Sequence, residues 1–307
     1  MTPSGSRRAP RPGERIAPYL FVAPFFLLFA VFGLYPLLRT AWMSLHRWDL
    51  LLGAVRFTGL ANYAELLADP HFYNALANTA SIFVVSTVPQ IVAALGIAVL
   101  LNRPQRARTA WHAVVLLPNV VPVVAVALVF TQLLGRDQGF AAWVLSWLGA
   151  DPLDWQAHAW SAHLGVAIMV IWRWTGYNAL IYLAAMRTVP RELYEAAALD
   201  GASRLRTFRS VTLPGIRPTL LFTVVVSAIG GLQLFAEPRL FGGGLVDRGV
   251  TGGNDRQFQT LVMYLYENGF ERFDAGYAAT ISWVLFLLCA VFAAVNAVLV
   301  RRLVGRG

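Results

Sequence analysis

The sequence predicts an all-α integral membrane protein with six spanning helices and both termini in the cytoplasm. Three observations lead there. Charged residues make up only 13% of the 307-residue chain and hydrophobic residues 57%, against about 25% charged in an ordinary soluble protein. The charge deficit is concentrated in long apolar runs, each near the ~20 residues that cross a bilayer core. Third, arginine is spread unevenly between alternate loops.

Taken in order, residues 1–16 are rich in Pro, Arg, Ser and Gly and read as a disordered basic cytoplasmic tail. The first apolar run, 17–38, is too long for a signal-peptide core, and no small-residue cleavage pattern follows it, so it is expected to stay as an anchor. Five further runs follow at about 80–101, 111–134, 163–186, 218–237 and 276–300. Backbone in hydrocarbon must bond to itself, so each is expected to be a helix. Arg173 is the one charge that interrupts the fourth. Pro118 and Pro122 should kink the third or break its hydrogen-bond ladder.

With the N-terminus inside, 16 of the 25 arginines fall in the tails and the two cytoplasmic loops, eight in outside loops and one within a span. Acids run the other way, four inside and twelve outside. This positive-inside pattern sets the orientation and accounts for the net charge of +9 without nucleic acid. The short tail 301–307 is again cytoplasmic. Among the loops, 39–79 contains Phe57–Tyr63 with Leu66 and Leu67, suited to a short interfacial helix, and Trp42, Trp48, Tyr63 and Tyr73, suited to an aromatic belt. Loop 135–162 carries four tryptophans, interfacial on the same argument. Loop 238–275 holds Gly242–Gly244 and Gly252-Gly253, giving turn-prone backbone. Cys289 lies mid-span and reads as a small buried hydrophobe, with no disulfide to make.

No lysine occurs anywhere in the chain, so no Gly-x-x-x-x-Gly-Lys phosphate loop exists. Any ATP-driven step must therefore use another chain. Intramembrane enzyme chemistry finds no His-Glu-x-x-His pattern or paired intramembrane aspartates, and an ion-driven carrier would want acids or histidines on the spans.

The cytoplasmic loop 188–217 is longer than a connection requires. Pro190 can open a helix whose first turns carry Glu192 and Glu195, and Leu193, Ala197 and Gly201 share one smooth face. Gly201 suits a turn, Arg204–Val211 a second short helix, and Pro214 and Pro218 should stop it running into the fifth span. Periodicity alone favours an ordinary amphipathic loop lying on lipid.

The residues go further. Glu195-Ala196-Ala197-x-x-Asp200-Gly201-Ala202, with Phe208, Leu213, Pro214 and Pro218, resembles the coupling loop of permease subunits of binding-protein-dependent ABC importers. Ala17–Pro24, Tyr35-Pro36, Gly59–Tyr63, Asn78-Thr79, Leu117-Pro118 and Val189–Tyr194 look like the sugar-importing branch, and within it the first of two paired subunits, the maltose- and glycerol-phosphate-permease type. That resemblance implies the type I, MetI-like six-helix permease fold in a bacterial inner membrane, with Glu195, Ala196, Ala197, Asp200, Gly201, Leu213 and Pro214 docking into a cytoplasmic ATPase. It also implies a homologous second permease, two copies of that ATPase carrying ATP and magnesium, and an extracytoplasmic solute-binding protein. It implies no cofactor or metal in this chain.

A sugar path needs hydrogen-bonding groups and aromatic faces in an apolar wall. Trp172–Asn178 supplies them at mid-span, with Trp174 and Tyr177 three residues apart. Arg173 admits a substrate contact, an internal ion pair with Glu237 as a candidate partner, or snorkelling toward the interface. By offset from Glu195, the family resemblance places sugar contacts at Arg173, Trp174, Tyr177, Ser227, Gly230, Gly231 and Leu234. Gly231 and Leu234 stand where the family has amides, and small residues on the fifth span equally serve helix packing. Thr251–Gln259 is similar to oligosaccharide permeases of the cellobiose kind. A glycerol-phosphate or other small polar solute is the alternative cargo within the same family.

Overall fold

In the computed structural model, residues 12–103, 106–136, 139–241, 251–253 and 255–304 are described. The Gly242–Gly244 turn and Arg306 lie outside them. Helix α1 (Pro12–Phe29) starts inside the stretch read as tail, passes through a π turn at Ala30–Leu34, and continues as α2 (Tyr35–Ser44). Then comes a departure from an all-helical reading, an antiparallel hairpin of β1 (His46–Asp49) and β2 (Gly53–Phe57). The interfacial helix expected near Tyr63 is α3 (Ala61–Ala68). Asp69 then caps α4 (Pro70–Leu101) by accepting from the His71 amide at 2.9 Å. That cap and Pro70 at the first position start the helix ten residues before the apolar run.

The third run is broken. α5 (Arg108–Val120) and α6 (Val123–Leu133) meet at 89°. Val121 and Pro122 are extended at the break, and Pro122 has no amide to continue the ladder. The short helix α7 (Phe140–Trp147) precedes α8 (Ala159–Met186), the most buried long helix. The cytoplasmic segment follows as α9 (Arg191–Leu199), α10 (Arg204–Thr207), a π turn at Phe208–Thr212 and α11 (Leu213–Gly215). That run meets α12 (Arg217–Leu232) at 69°. The fifth helix ends at Leu232, short of the expected 237, because the chain turns through Gln233–Phe235 into α13 (Ala236–Phe241). Apolarity persists past the turn, which is why composition overshot it. Finally α14 (Leu261–Tyr266) and a π turn at Glu267–Glu271 lead to α15 (Ala275–Val304).

Among the described residues four stretches are long and apolar enough to cross a bilayer, Tyr19–Ser44, Pro70–Leu101, Ala159–Met186 and Ala275–Val298, and the two bent pairs raise the count to six if each is one span. The first of them is almost wholly exposed, with Phe21 and Phe32 among its bare side chains. α8 is the hub. Toward one end Val166, Met169 and Val170 pack with Ile82, Val126, Phe130 and Phe241. Toward the other, Ala179, Tyr182, Leu183 and Met186 pack with Ala94, Ala98, Val189 and Ile216.

Two glycines of α8 allow this closeness. A Cβ at Gly176 would lie 1.7 Å from the Val115 carbonyl oxygen of α5, and one at Gly165 would lie 2.7 Å from the Phe241 ring. The first obstacle is backbone and cannot rotate away. Gly176→Ala should therefore lower thermal stability in detergent by on the order of 1–3 kcal/mol, the usual cost of overpacking. Gly230→Ala, where a Cβ meets nothing within 4 Å, should leave it within ~0.5 kcal/mol. Equal melting of both variants would refute the close α5–α8 contact.

Candidate transport site and coupling surface

Arg173 on α8 donates to Glu237 on α13 at 2.5 Å, and both side chains are largely buried. The ion pair with Glu237 is therefore formed. A charge on a membrane helix is costly alone, and the partner is supplied by the short helix that follows the turn at the end of α12. The guanidinium carbon also lies 5.8 Å from the Trp174 ring, while the Arg173 Nε is buried without a partner. Trp174 and Tyr177 meet edge to face at 5.9 Å and remain about two-fifths exposed. Trp172, pointing elsewhere, packs on Phe130 at 5.6 Å.

The α12 residues are less uniform. Tyr182 and Thr223 share a hydrogen bond of 2.7 Å between α8 and α12. One helical turn from that pair, in opposite chain directions, come Asn178 and Ser227; about two turns from it come Trp174 and Gly230–Gly231. The two candidate sets thus lie at matching depth. Gly230 faces open space, whereas a Cβ at Gly231 would strike the Phe83 ring at 2.6 Å. Leu234 lies beyond the helix end and packs into the core around Phe241. Gly231 and Leu234 accordingly have packing roles in this state, and Trp174, Tyr177 and Gly230 form the open surface.

What holds α13 in place is a buried polar cluster that sequence reasoning missed. Thr260 donates to the Leu234 carbonyl at 2.7 Å, and Gln156 to the Phe241 carbonyl at 2.8 Å. Asn74 and Asn78 donate to the Arg256 carbonyl at 2.8 and 2.7 Å, and the Leu261 amide donates to Thr79 at 2.9 Å. His163 bridges Ser81 and the Gln257 carbonyl. At the centre Arg256 grips both oxygens of buried Glu267, at 2.6 and 2.7 Å, while Gln259 and Arg272 add a bond each. Burial alone would raise the Glu267 carboxyl, but the hydrogen bonds from Arg256 and Gln259 and the charges of Arg256 and Arg272 outweigh it and bring it to about 2. The one available signal was Asn78-Thr79, a polar pair inside an apolar run.

At the opposite end α9 closes in a Schellman turn. The Ala202 amide bonds the Ala197 carbonyl at 2.9 Å and that of Gly201 the Ala198 carbonyl at 3.1 Å, with Gly201 at φ +67°. Ser203 then caps α10 through the Arg206 amide. Tyr194 bonds Thr212 at 3.2 Å and, with Phe208 and Val211, packs on the core below α8. This leaves Glu195, Ala196, Asp200 and Gly201 exposed, Ala197 and Leu213 half-buried and Pro214 exposed. Leu193, Ala196, Ala197, Asp200, Arg206 and Val211 line a groove of about 510 Å³. Leu199, not singled out from the sequence, ends the helix 90% exposed.

Residues 90–305 match the family described as binding-protein-dependent transport system inner membrane component. The chain belongs to that family. It is 34% identical over 280 residues to the arabinooligosaccharides transport system permease protein AraP of Halalkalibacterium halodurans, covering 91% of this chain and 85% of that one. It is 37% identical over 277 residues to the lactose transport system permease protein LacF of Rhizobium radiobacter, covering 89% and 90%. A chain of a solved bacterial alginate ABC transporter superposes with a TM-score of 0.80 at 21% identity over 95% of this chain and 98% of that one, so the fold is that of the MetI-like permeases. The protein is thus a multi-pass inner-membrane transport component.

Two outcomes follow. Glu237→Leu strands a buried arginine and should destabilise by about 3–5 kcal/mol, while Arg173→Met/Glu237→Leu should regain most of that loss in a melting assay. A double variant no more stable than the single would refute the pair as a unit. Glu267 lies below its ordinary 4.5 at about 2, so its contribution is fully present above 4.5 and lost as pH falls toward 2. Amide protection factors over 256–261, corrected for the intrinsic pH dependence of exchange, should stay level from pH 7 to 5 and fall below 4.5, and Glu267→Gln should lower them already at pH 7.

Proposed function

We propose that this chain is the translocating subunit of an ATP-driven importer for a di- or oligosaccharide delivered by an extracytoplasmic binding protein. It would cross the membrane six times, each bent helix pair counting once, with both termini cytoplasmic. The observation that carries the reading is the α9–α10 corner. A small helix with an alanine face, an exposed Glu195 and an open groove is presented outward, while its other side is fixed to the base of α8. A helix lying in a partner's cleft is a familiar recognition mode, and exposed Leu199 and Leu193 supply apolar anchors. The partner is an ATPase carrying ATP and magnesium, present in two copies, one of them under a homologous second permease.

Trp174, Tyr177 and Gly230 make half of a cavity wall, with Ser227 about one turn nearer the Tyr182–Thr223 pair. The sister subunit would supply the other half. Aromatic faces and hydroxyls suit a neutral sugar. The alternative of an anionic cargo such as glycerol phosphate rested on Arg173, and its charge is already matched by Glu237. Nucleotide-driven closure of the ATPases would shift the corner and hence the populations of inward- and outward-open states.

Reconstitution with sister permease, ATPase and binding protein tests this. A Cβ at Gly201 meets nothing within 4 Å in this chain, so a side chain there acts on the partner and on the left-handed backbone. Glu195→Ala and Gly201→Asp should cut sugar-stimulated ATP hydrolysis roughly tenfold, the factor set by ~1.4 kcal/mol of lost docking energy. Tyr177→Ala should weaken uptake while the complex still assembles. Undiminished stimulation in both loop variants would refute the coupling role, and gradient-driven uptake by the chain alone would refute the importer.

A further inference from the structure

The β1–β2 hairpin is left without a role by the transport reading, and it has an unusual surface. Its tip is Leu50-Leu51-Leu52, with Leu51 74% and Leu52 82% exposed. Beside them Val55 is thrown outward where the register slips between Arg47 and Trp48. Such side chains on a water-facing turn would be unfavourable, since turns are normally built from polar residues and glycine.

The backbone of the tip is prepared for a drier place. The Leu51 and Leu52 amides both donate to Asp49 Oδ1, at 2.7 and 2.9 Å, and the Leu50 amide donates to the Phe273 carbonyl at 2.8 Å. All three leucine N–H groups are therefore satisfied within the protein, which lowers the cost of placing the turn where water is scarce. Just below the tip Arg47 and Arg56 are paired directly across the two strands and both are exposed. Like charges in that relation repel. Among the described residues no carboxylate lies within ion-pair distance of either, while Arg39 is stacked on Trp48 at 4.4 Å.

Position supplies the occupant. β1 begins two residues after the end of the Tyr19–Ser44 stretch, and the tip is pinned at Phe273, two residues before the Ala275–Val298 stretch. The hairpin thus lies where two membrane-crossing helices leave the bilayer. We propose that it is an interfacial lipid anchor. Leu51, Leu52 and Val55 enter the headgroup–acyl boundary, and Arg47 and Arg56 together clamp the phosphate of an anionic phospholipid. Guanidinium groups suit phosphate oxygens, and one phosphate between them removes the repulsion.

The test uses the assembled transporter in nanodiscs of phosphatidylcholine alone or with three parts in ten of phosphatidylglycerol. A nitroxide at Leu51→Cys, in a Cys289→Ser background, should be relaxed by oxygen far more than by an aqueous nickel chelate in both lipids. Native mass spectrometry should show retained phosphatidylglycerol falling at least severalfold in Arg47→Gln/Arg56→Gln and kept in Arg47→Lys/Arg56→Lys. A label in water overturns the anchor. A label that leaves water only when solute-binding protein is added assigns the hairpin to that protein and overturns it too. Retained lipid that is indifferent to Arg47→Gln/Arg56→Gln removes the clamp.

Discussion

A peptide group placed in hydrocarbon has no water to bond, and irregular backbone packed against the spanning helices has to answer to that. The long helices satisfy it internally. The difficulty arises where the backbone leaves the helical ladder while still packed against spanning helices: at the turn after α12, along 256–261, and at the hairpin tip. In each place a polar side chain on a neighbouring element takes up the free group. Thr260 serves the Leu234 carbonyl, Asn74, Asn78, Thr79 and His163 serve the 256–261 strip, and Asp49 serves the leucine amides. The polar residues scattered through apolar runs are thus largely backbone partners.

The same requirement builds the transport site. Glu237 can reach Arg173 only because α12 stops at Leu232 and the chain re-enters as α13, and that re-entry is held by Thr260 and Gln156. The Arg256–Glu267 pair in turn fixes the strip that carries Thr260. Removing one member of a buried ion pair is far costlier than never having had it, so the two pairs act as locks on one geometry. Trp174 and Tyr177, the proposed sugar contacts, are left free of that scaffold.

Much of this was legible because the signals were periodic or compositional. Apolar runs gave the helices, Pro190 and Gly201 gave both ends of α9, and the rarity of a mid-span charge singled out Arg173, with Glu237 among the readings of what it meets. The hairpin was not legible. Its strands are four and five residues long, and the turn between them is three leucines, which carries none of the usual glycine–asparagine chemistry. The end of the fifth helix was hidden because Leu234, Phe235 and Ala236 continue its apolar character through a turn that only Gln233 interrupts. The Glu267 cluster depends on partners nearly two hundred residues apart, as between Asn78 and Arg256, and no local pattern encodes such a contact. Among the proposed sugar contacts, type could not separate Gly230 from its neighbour Gly231. Only the Phe83 ring does that.

The two functional surfaces share one piece of core. Tyr194, Phe208 and Val211 of the cytoplasmic corner pack on the cluster containing Tyr182, Leu183 and Met186, and the Tyr182 hydroxyl bonds Thr223 at the base of α12. Close-packed interiors transmit displacement because they do not compress. A push on α9 is therefore delivered to α8 and α12 together, one turn below Asn178 and Ser227 and about two below Trp174 and Gly230. Farther along, α8 is bound to α13 by Arg173–Glu237, and α12 runs into α13 through a three-residue turn. Relative movement of α8 and α12 must then be absorbed at Gln233–Phe235, beside the open aromatic face. Under the proposed coupling, the turn that shortened the fifth helix is the joint at which motion from the cytoplasmic corner reaches the cavity wall.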